Sequence, residues 1–201
     1  MTLYFLRHAE KENGDYFNPI LGHQDPPLSR FGKAQSESVR RFFADKGISS
    51  IYVSDYLRTR QTAEPLASHL NLAPFLDQRL NEIDTGLIEG LDDETVERNF
   101  PDVWSAYIAR THDFRFPHGE TGSEAKARIV EYIAQMSHSS QNILAVSHDG
   151  IIRALFCHVV GLPVYKRFDF HMDFCGVLEI EYAPREQKWR LIRFNQPIPA
   201  I

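Results

Sequence analysis

Thr2-Leu3-Tyr4-Phe5-Leu6-Arg7-His8-Ala9-Glu10 begins as an apolar run and closes on a guanidinium, an imidazole and a carboxylate. Tyr4 to Leu6 predicts a buried strand, and the chain turns polar directly after it. In an open parallel sheet, ligands bind beyond the carboxyl ends of the strands. Arg7 and His8 would therefore sit on the ligand rim. The apolar run Ile143 to Val146 leads into Ser147-His148-Asp149-Gly150, and Ile51-Tyr52-Val53 leads into Ser54 through Ala63. Three strands that each end in Arg or His chemistry are more than packing requires.

Working outward, residues 11–28 form a long connection rich in Gly, Pro, Asn and Asp, a length that marks a functional loop when it follows His8. Ser29 is the expected cap of a helix whose apolar positions are Phe31, Ala34, Val39, Phe42 and Phe43, closed by Gly47. Ile48 to Val53 is the second strand, and residues 56–70 a second helix with Pro65 as a kink or interruption. Residues 74–122 are irregular: a short strand near Phe75-Leu76, an acidic stretch from Asp84 to Asp93, a helical segment around Val103 to Ala109, and the Phe116-Pro117-His118-Gly119 loop. They are expected to be a lid insertion within a single domain spanning 1–201. Thr121 and Glu124 fit a capping box, with Ser123 as a rival cap, and the helix after it places Ala125, Ile129, Tyr132, Ile133 and Met136 on one face. A strand over 142–146, a helix over 151–160 and a terminal strand pair near 176–182 and 189–194 complete the pattern. The alternation predicts an α/β three-layer sandwich, Rossmann-like, with a mostly parallel central sheet flanked by helices.

At 201 residues the chain can bury a sizeable core, and 43% hydrophobic with 24% charged residues is a globular composition. A formal charge of −5 argues against a general nucleic-acid or membrane-surface binder. Any anion site must then be built from locally placed cations. Cys157 and Cys175 lie in apolar surroundings without metal-ligand spacing and read as core residues. The first residues lack the basic region and long apolar core of a signal peptide, which makes a cytoplasmic location the expectation.

The motifs identify the chain as similar to the histidine phosphatase superfamily, the phosphoglycerate-mutase-like enzymes. The family's Arg-His-Gly-Glu is met by Arg7 through Glu10, and Ser-x-x-x-Arg-x-x-Gln-Thr-Ala by Ser54 through Ala63. Glu-x-x-x-Gly-x-x-Glu-Gly is met by Glu82, Gly86, Glu89 and Gly90. Phe116 through Thr121 match Phe-Pro-x-Gly-Glu-[Ser/Thr], and Ser147 through Arg153 match Ser-His-x-Gly-x-x-Arg. The resemblance implies His8 as the nucleophile that forms a phosphohistidine, and Glu82 as the acid that protonates the leaving alkoxide and later activates water. Asp84 and Glu89 are rival carboxylates, and Arg60 is the rival of Arg58.

As chemistry, a phosphoryl dianion needs positioning and neutralisation. Arg7 and Arg58 can present forked donors, and His148 a further charged hydrogen bond. The Gly150 amide could approach the anion at a helix N-terminus. Neighbouring arginines would keep His8 unprotonated. Asn13, Gly14, His118 and Glu120 are further candidate substrate contacts, with Asn18 as an alternative, because Gly14 stands where many members carry asparagine. Asp149 replaces a common glycine and is expected to cap the following helix. Arg153 reads equally as a site residue or a structural ion-pair partner. Neither a cofactor nor a metal is implied. The expected activity is metal-independent hydrolysis of a small phosphomonoester. The alternatives are a mutase, whose site-covering insertions are usually longer, and a non-catalytic phospho-ligand or protein-binding module. Tyr16, Phe17, His23, Tyr107, Arg110, Arg115 and His118 would set specificity. Oligomeric state is not legible.

Overall fold

The computed structural model describes residues 1–199. Strands β1 (Thr2–Arg7), β4 (Ile48–Val53), β5 (Phe75–Leu76), β6 (Asn142–Ser147), β7 (Val177–Ala183) and β8 (Lys188–Gln196) form one sheet in the order β5-β4-β6-β1-β7-β8. β5, β4, β6 and β1 run parallel, and β7 and β8 close the other edge by antiparallel pairing. The fold is the α/β sandwich that the alternating pattern predicts.

The central strands are apolar on both sides because helices cover both. Leu3, Phe5, Ile143 and Ala145 face α5 (Gly122–Met136) and α6 (Asp149–Val159). Tyr4, Leu6, Leu144 and Val146 face α1 (Arg30–Phe43) and α2 (Leu57–Leu70). Each fully buried Leu, Ile or Phe in these layers contributes about 1.5–3 kcal/mol relative to exposure. Thr121 begins α5 with a complete capping box, its side chain bound to Glu124 N–H and the Glu124 carboxylate to its own N–H. The buried stripe of α5 is the expected one.

Several boundaries differ from the sequence reading. Ser29 caps α1, but Phe31 and Ala34 face solvent, and the buried face is Gly32, Ser36, Ser38, Val39 and Phe43. The cause is a backbone crossing: a Cβ on Gly32 would lie 1.9 Å from the Glu10 carbonyl, so glycine and serines pack where larger side chains cannot. Pro65 sits inside α2 without ending it. The connection over 11–28 holds a small hairpin, β2 (Phe17–Asn18) with β3 (His23–Gln24). Residues 74–122 contain the edge strand β5, so the stretch begins inside the sheet. Beyond β5 come 3-10 turns at Gln78–Leu80 and Gly86–Ile88, a helix the pattern did not signal, α3 (Asp93–Asn99), and α4 (Pro101–Ala109). Among the described residues no helix is long and apolar enough to cross a membrane.

Candidate active site

Sheet register explains why three distant motifs meet. Arg7 pairs with Ser147 at the ends of β1 and β6, and Val53 pairs with Val146. His8, Ser54 and His148 are therefore the next residues beyond three adjacent parallel strands. His8 and His148 come together with ring centroids 5.2 Å apart.

Each guanidinium lies on an aromatic ring that also touches one of the histidines. Arg7 stacks on Phe174 at 4.1 Å, and Phe174 lies 5.6 Å from His8. Arg58 stacks on Tyr56 at 4.2 Å, and Tyr56 lies 4.9 Å from His148. Such cation–π contacts fix the plane of a guanidinium while leaving its in-plane donors free. Arg7 also donates through Nη1 to Met172 O, and Arg58 through Nη1 to Gln24 O at 3.3 Å. Asp25 is 3.8 Å from Arg58. Arg60, the alternative, is exposed.

His8 is buried, with Nδ1 2.8 Å from Ala9 O. A carbonyl can only accept, so Nδ1 carries the proton, and in the neutral ring Nε2 keeps its lone pair. Burial first, then the Arg58 charge, hold the imidazole well below its ordinary value of 6.5. His148 is fully buried and is held low by the same two causes. Both causes work against the imidazolium, and so against the charged donor that the sequence suggested. His148 Nε2 is 2.8 Å from the Ser54 hydroxyl, and its Nδ1 is buried without a partner. Arg7 Nε and Arg58 Nε are likewise buried and unpaired among the described residues. Lys11, half-buried, adds a further cation near Arg58.

The Glu82 carboxylate lies over the start of α6. Oε2 accepts from Gly150 N–H and Oε1 from Ile151 N–H, both at 3.2 Å, and Oε1 also accepts from Ile83 N–H at 2.9 Å. The helix N-terminus does receive an anion, but here it is this carboxylate, which corrects the role expected of the Gly150 amide. A Cβ on Gly150 would stand 2.7 Å from Glu82 Oε1, which is why glycine fits. The rival carboxylates are engaged elsewhere. Asp84 accepts from Gly86 N–H, and Glu89 accepts from His23 and Gln24 N–H.

Other expectations change. His148 itself is the cap residue of α6, while Asp149 starts the helix and pairs with Arg153 at 2.8 Å instead of capping. Arg153 also donates to the Arg167 and Phe170 carbonyls, so it is a structural partner. Asn13 and Gly14 are exposed and make no hydrogen bond to the cluster among the described residues. Asn18 is committed to Asp25 and to the hairpin turn. His118 is exposed at the tip of its turn, with φ 60°. Glu120 is taken up by Arg128 and Asp84 N–H rather than being free for substrate. Tyr56, Phe174 and Arg128 are the site-forming residues that sequence reasoning did not single out. Arg128 did carry a signal, since it occupies the i+3 position of the buried stripe that starts at Ala125.

A groove of about 420 Å³ runs beside Glu82, lined by Ile20, Leu21, His23, Tyr56, Asp84 and Arg128. A larger groove of about 820 Å³ follows α2 and β5, lined by Leu57, Gln61, Leu72 and Leu76, and includes neither histidine.

A family model described as the histidine phosphatase superfamily (branch 1) matches residues 3–197. The chain belongs to that superfamily. Among its relatives, phosphoserine phosphatase 1 of Hydrogenobacter thermophilus is 30% identical over 178 residues, covering 86% of this chain and 82% of the relative. A Proteus mirabilis protein named probable phosphoglycerate mutase GpmB is 30% identical over 187 residues, covering 90% and 85%. Among solved structures, mycobacterial hydrolase 2 superposes with a TM-score of 0.82 at 25% identity, covering 98% of this chain and 91% of that one. The complex of mycobacterial glucosyl-3-phosphoglycerate phosphatase with inorganic phosphate has a TM-score of 0.82 at 24% identity, covering 97% of each chain, a likeness of fold. Phosphoester chemistry is thus the activity at the level of the family.

Proposed function

We propose that the protein is a metal-independent phosphatase that hydrolyses a small phosphomonoester through a phosphohistidine on His8. The observation that carries this reading is the set of three buried, unpaired nitrogens, Arg7 Nε, Arg58 Nε and His148 Nδ1, beside a histidine whose tautomer leaves Nε2 nucleophilic. An unpaired buried donor costs about 1–3 kcal/mol. Three beside one nucleophile are explained by an anion that each of them binds. Arg7 and Arg58 neutralise the phosphoryl oxygens. We assign His148 the tautomer in which the Ser54 hydroxyl donates to Nε2, so that Nδ1–H becomes the third donor.

In the first step the His8 Nε2 lone pair forms a bond to phosphorus while the P–O bond to the alcohol breaks. The protonated Glu82 carboxyl gives its proton to the departing oxygen. In the second, the Glu82 carboxylate takes a proton from water as that water attacks phosphorus. The N–P bond breaks, its electron pair returns to His8, and inorganic phosphate leaves. The groove beside Glu82 accommodates the alcohol. Residues 74–122 cover the site as part of one domain spanning 1–201.

A mutase would share the phosphohistidine, and one relative carries that name. The two differ in the acceptor. Rapid-quench labelling with a slow phosphomonoester, followed by alkaline denaturation, should place an acid-labile phosphate on the His8 peptide. That label should chase into inorganic phosphate. Chase into an isomeric ester would identify a mutase. Absence of label together with wild-type turnover in His8→Ala would remove the covalent mechanism.

A further inference from the structure

The segment carrying Glu82 lacks regular strand pairing, and side chains take up its carbonyls. Arg128, on α5, donates through Nη1 to Arg79 O and Asn81 O, both at 2.8 Å, and through Nη2 to Glu82 O at 3.1 Å. Its other donors go to Glu120, Nε to Oε2 at 3.2 Å and Nη2 to Oε1 at 2.7 Å. An arginine has five N–H donors, and all of them are engaged here. Glu120 in turn accepts from Asp84 N–H at 3.0 Å, and the Ser147 hydroxyl donates to Leu80 O at 2.6 Å. Every carbonyl from residue 79 to residue 82 is thereby held by a side chain of α5 or β6.

We propose that Arg128, supported by Glu120, is a positioning residue for Glu82, setting where its carboxyl meets the leaving oxygen. The proposal rests on the reading of Glu82 as the general acid. All five Arg128 donors are spent on that backbone and on Glu120, so it stands in the groove beside Glu82 as part of the wall, with no donor left for the substrate. Proton transfer requires a heavy-atom distance of about 2.6–3.2 Å. A misplacement of about 1 Å can cost about 100-fold in rate. Only a planar fork can hold the carbonyls of 79, 81 and 82 at once while its other edge meets a carboxylate. A lysine ammonium keeps the charge but has neither the reach nor the donor count. Because Arg128 spends no donor on the phosphoryl group, phosphate binding should survive its loss and proton delivery should not.

The test compares Arg128→Lys, Glu120→Gln and Glu82→Gln in the full chain. Single-turnover phosphorylation of His8 is measured with p-nitrophenyl, phenyl and p-methoxyphenyl phosphate, whose leaving groups grow progressively more basic. Glu82→Gln should lose rate steeply along the series. Arg128→Lys should follow the same trend, near wild type with the nitrophenyl ester and down by about 100-fold with the methoxyphenyl ester. Glu120→Gln should show the same trend more weakly. Arg128→Lys combined with Glu82→Gln should be no worse than Glu82→Gln alone, as expected for residues acting through one step. A uniform loss across the series, or no loss, in Arg128→Lys overturns the positioning role while leaving the acid assignment intact. A flat series in Glu82→Gln overturns the acid assignment, and this proposal with it. If circular dichroism shows Arg128→Lys unfolded, Glu120→Gln decides: the basicity-dependent loss supports the role, and a flat series overturns it.

Discussion

Replacing Arg58 by methionine should leave the phosphate-free fold near wild-type stability while nearly abolishing anion binding. Arg58 is buried, and burial works against its charge. Within the protein it has one hydrogen bond, at 3.3 Å, a 3.8 Å approach to Asp25, and the Tyr56 ring. Methionine keeps the length and a favourable sulfur–ring contact. Asp25 keeps Leu57 N–H at 2.8 Å and the Asn18 amide at 3.1 Å. Removing the unpaired Nε relieves about 1–3 kcal/mol, against about 0.5–2 kcal/mol of lost cation–π attraction, about 0.5–1.5 kcal/mol for the Gln24 bond and the lost attraction to buried Asp25. The terms nearly cancel, so the melting temperature should stay within roughly 2–4 °C of wild type, the shift that about 1 kcal/mol produces in a chain of this size. Binding has no such balance. Two charge-assisted hydrogen bonds, each about 1.5–3 kcal/mol, give a loss of at least about 3 kcal/mol, or roughly two decades in Kd. Calorimetric titration with inorganic phosphate and thermal scans without it read the two quantities on one protein. A melting temperature lowered beyond that range, with phosphate affinity within about threefold of wild type, would refute the reasoning and make Arg58 a structural residue.

Stability should fall as pH drops below about 6.5, because His8 and His148 have folded-state values held below the ordinary one and the unfolded chain binds more protons there. The penalty grows until the pH passes the folded values, and His8→Asn should flatten thermal-scan stability against pH. Gly150→Ala places a Cβ 2.7 Å from Glu82 Oε1, and should lower kcat by roughly 10-fold with little change in phosphate affinity; unchanged turnover would show that the carboxyl does not act from this position. Activity should survive exhaustive chelation, since the arginines supply the charge that a Lewis acid would. A loss restored by a divalent ion would assign the chemistry elsewhere.

The layers of the fold were legible because apolar runs such as Tyr4 to Leu6 and Ile143 to Val146 are short, strong signals next to polar turns. The convergence of His8, Ser54 and His148 was legible from the same runs, since parallel strands deliver their carboxyl ends to one rim. What periodicity could not show were effects that depend on backbone crossings. Gly32 and Ser36 took the buried face of α1 from Phe31 and Ala34 because Glu10 passes over it. Phe174 carried no signal, since its role depends on a turn before β7 that returns to β1. Glu82 was found by motif, yet its seat on the Gly150 and Ile151 amides was not, because an anion at a helix start can come from the chain as readily as from a ligand. Nor could the sequence show that His148 is completely buried, which works against its charged form.

The strand that ends beside His8 has its partners far away in the chain. Thr2 N–H binds the side chain of Asn142, 140 residues on, and the Thr2 hydroxyl binds Glu181, 179 residues on. β1 therefore precedes all its sheet partners in this sequence and is enclosed only after they form. Its loop closures are long, and contacts of that separation slow folding. During translation Leu3, Phe5 and Leu6 must wait exposed until β6 and β7 emerge, which makes the young chain a client for anything that shields apolar segments. A half-made chain carries His8 without its cage. The cage around His8 and the completed fold thus arrive together.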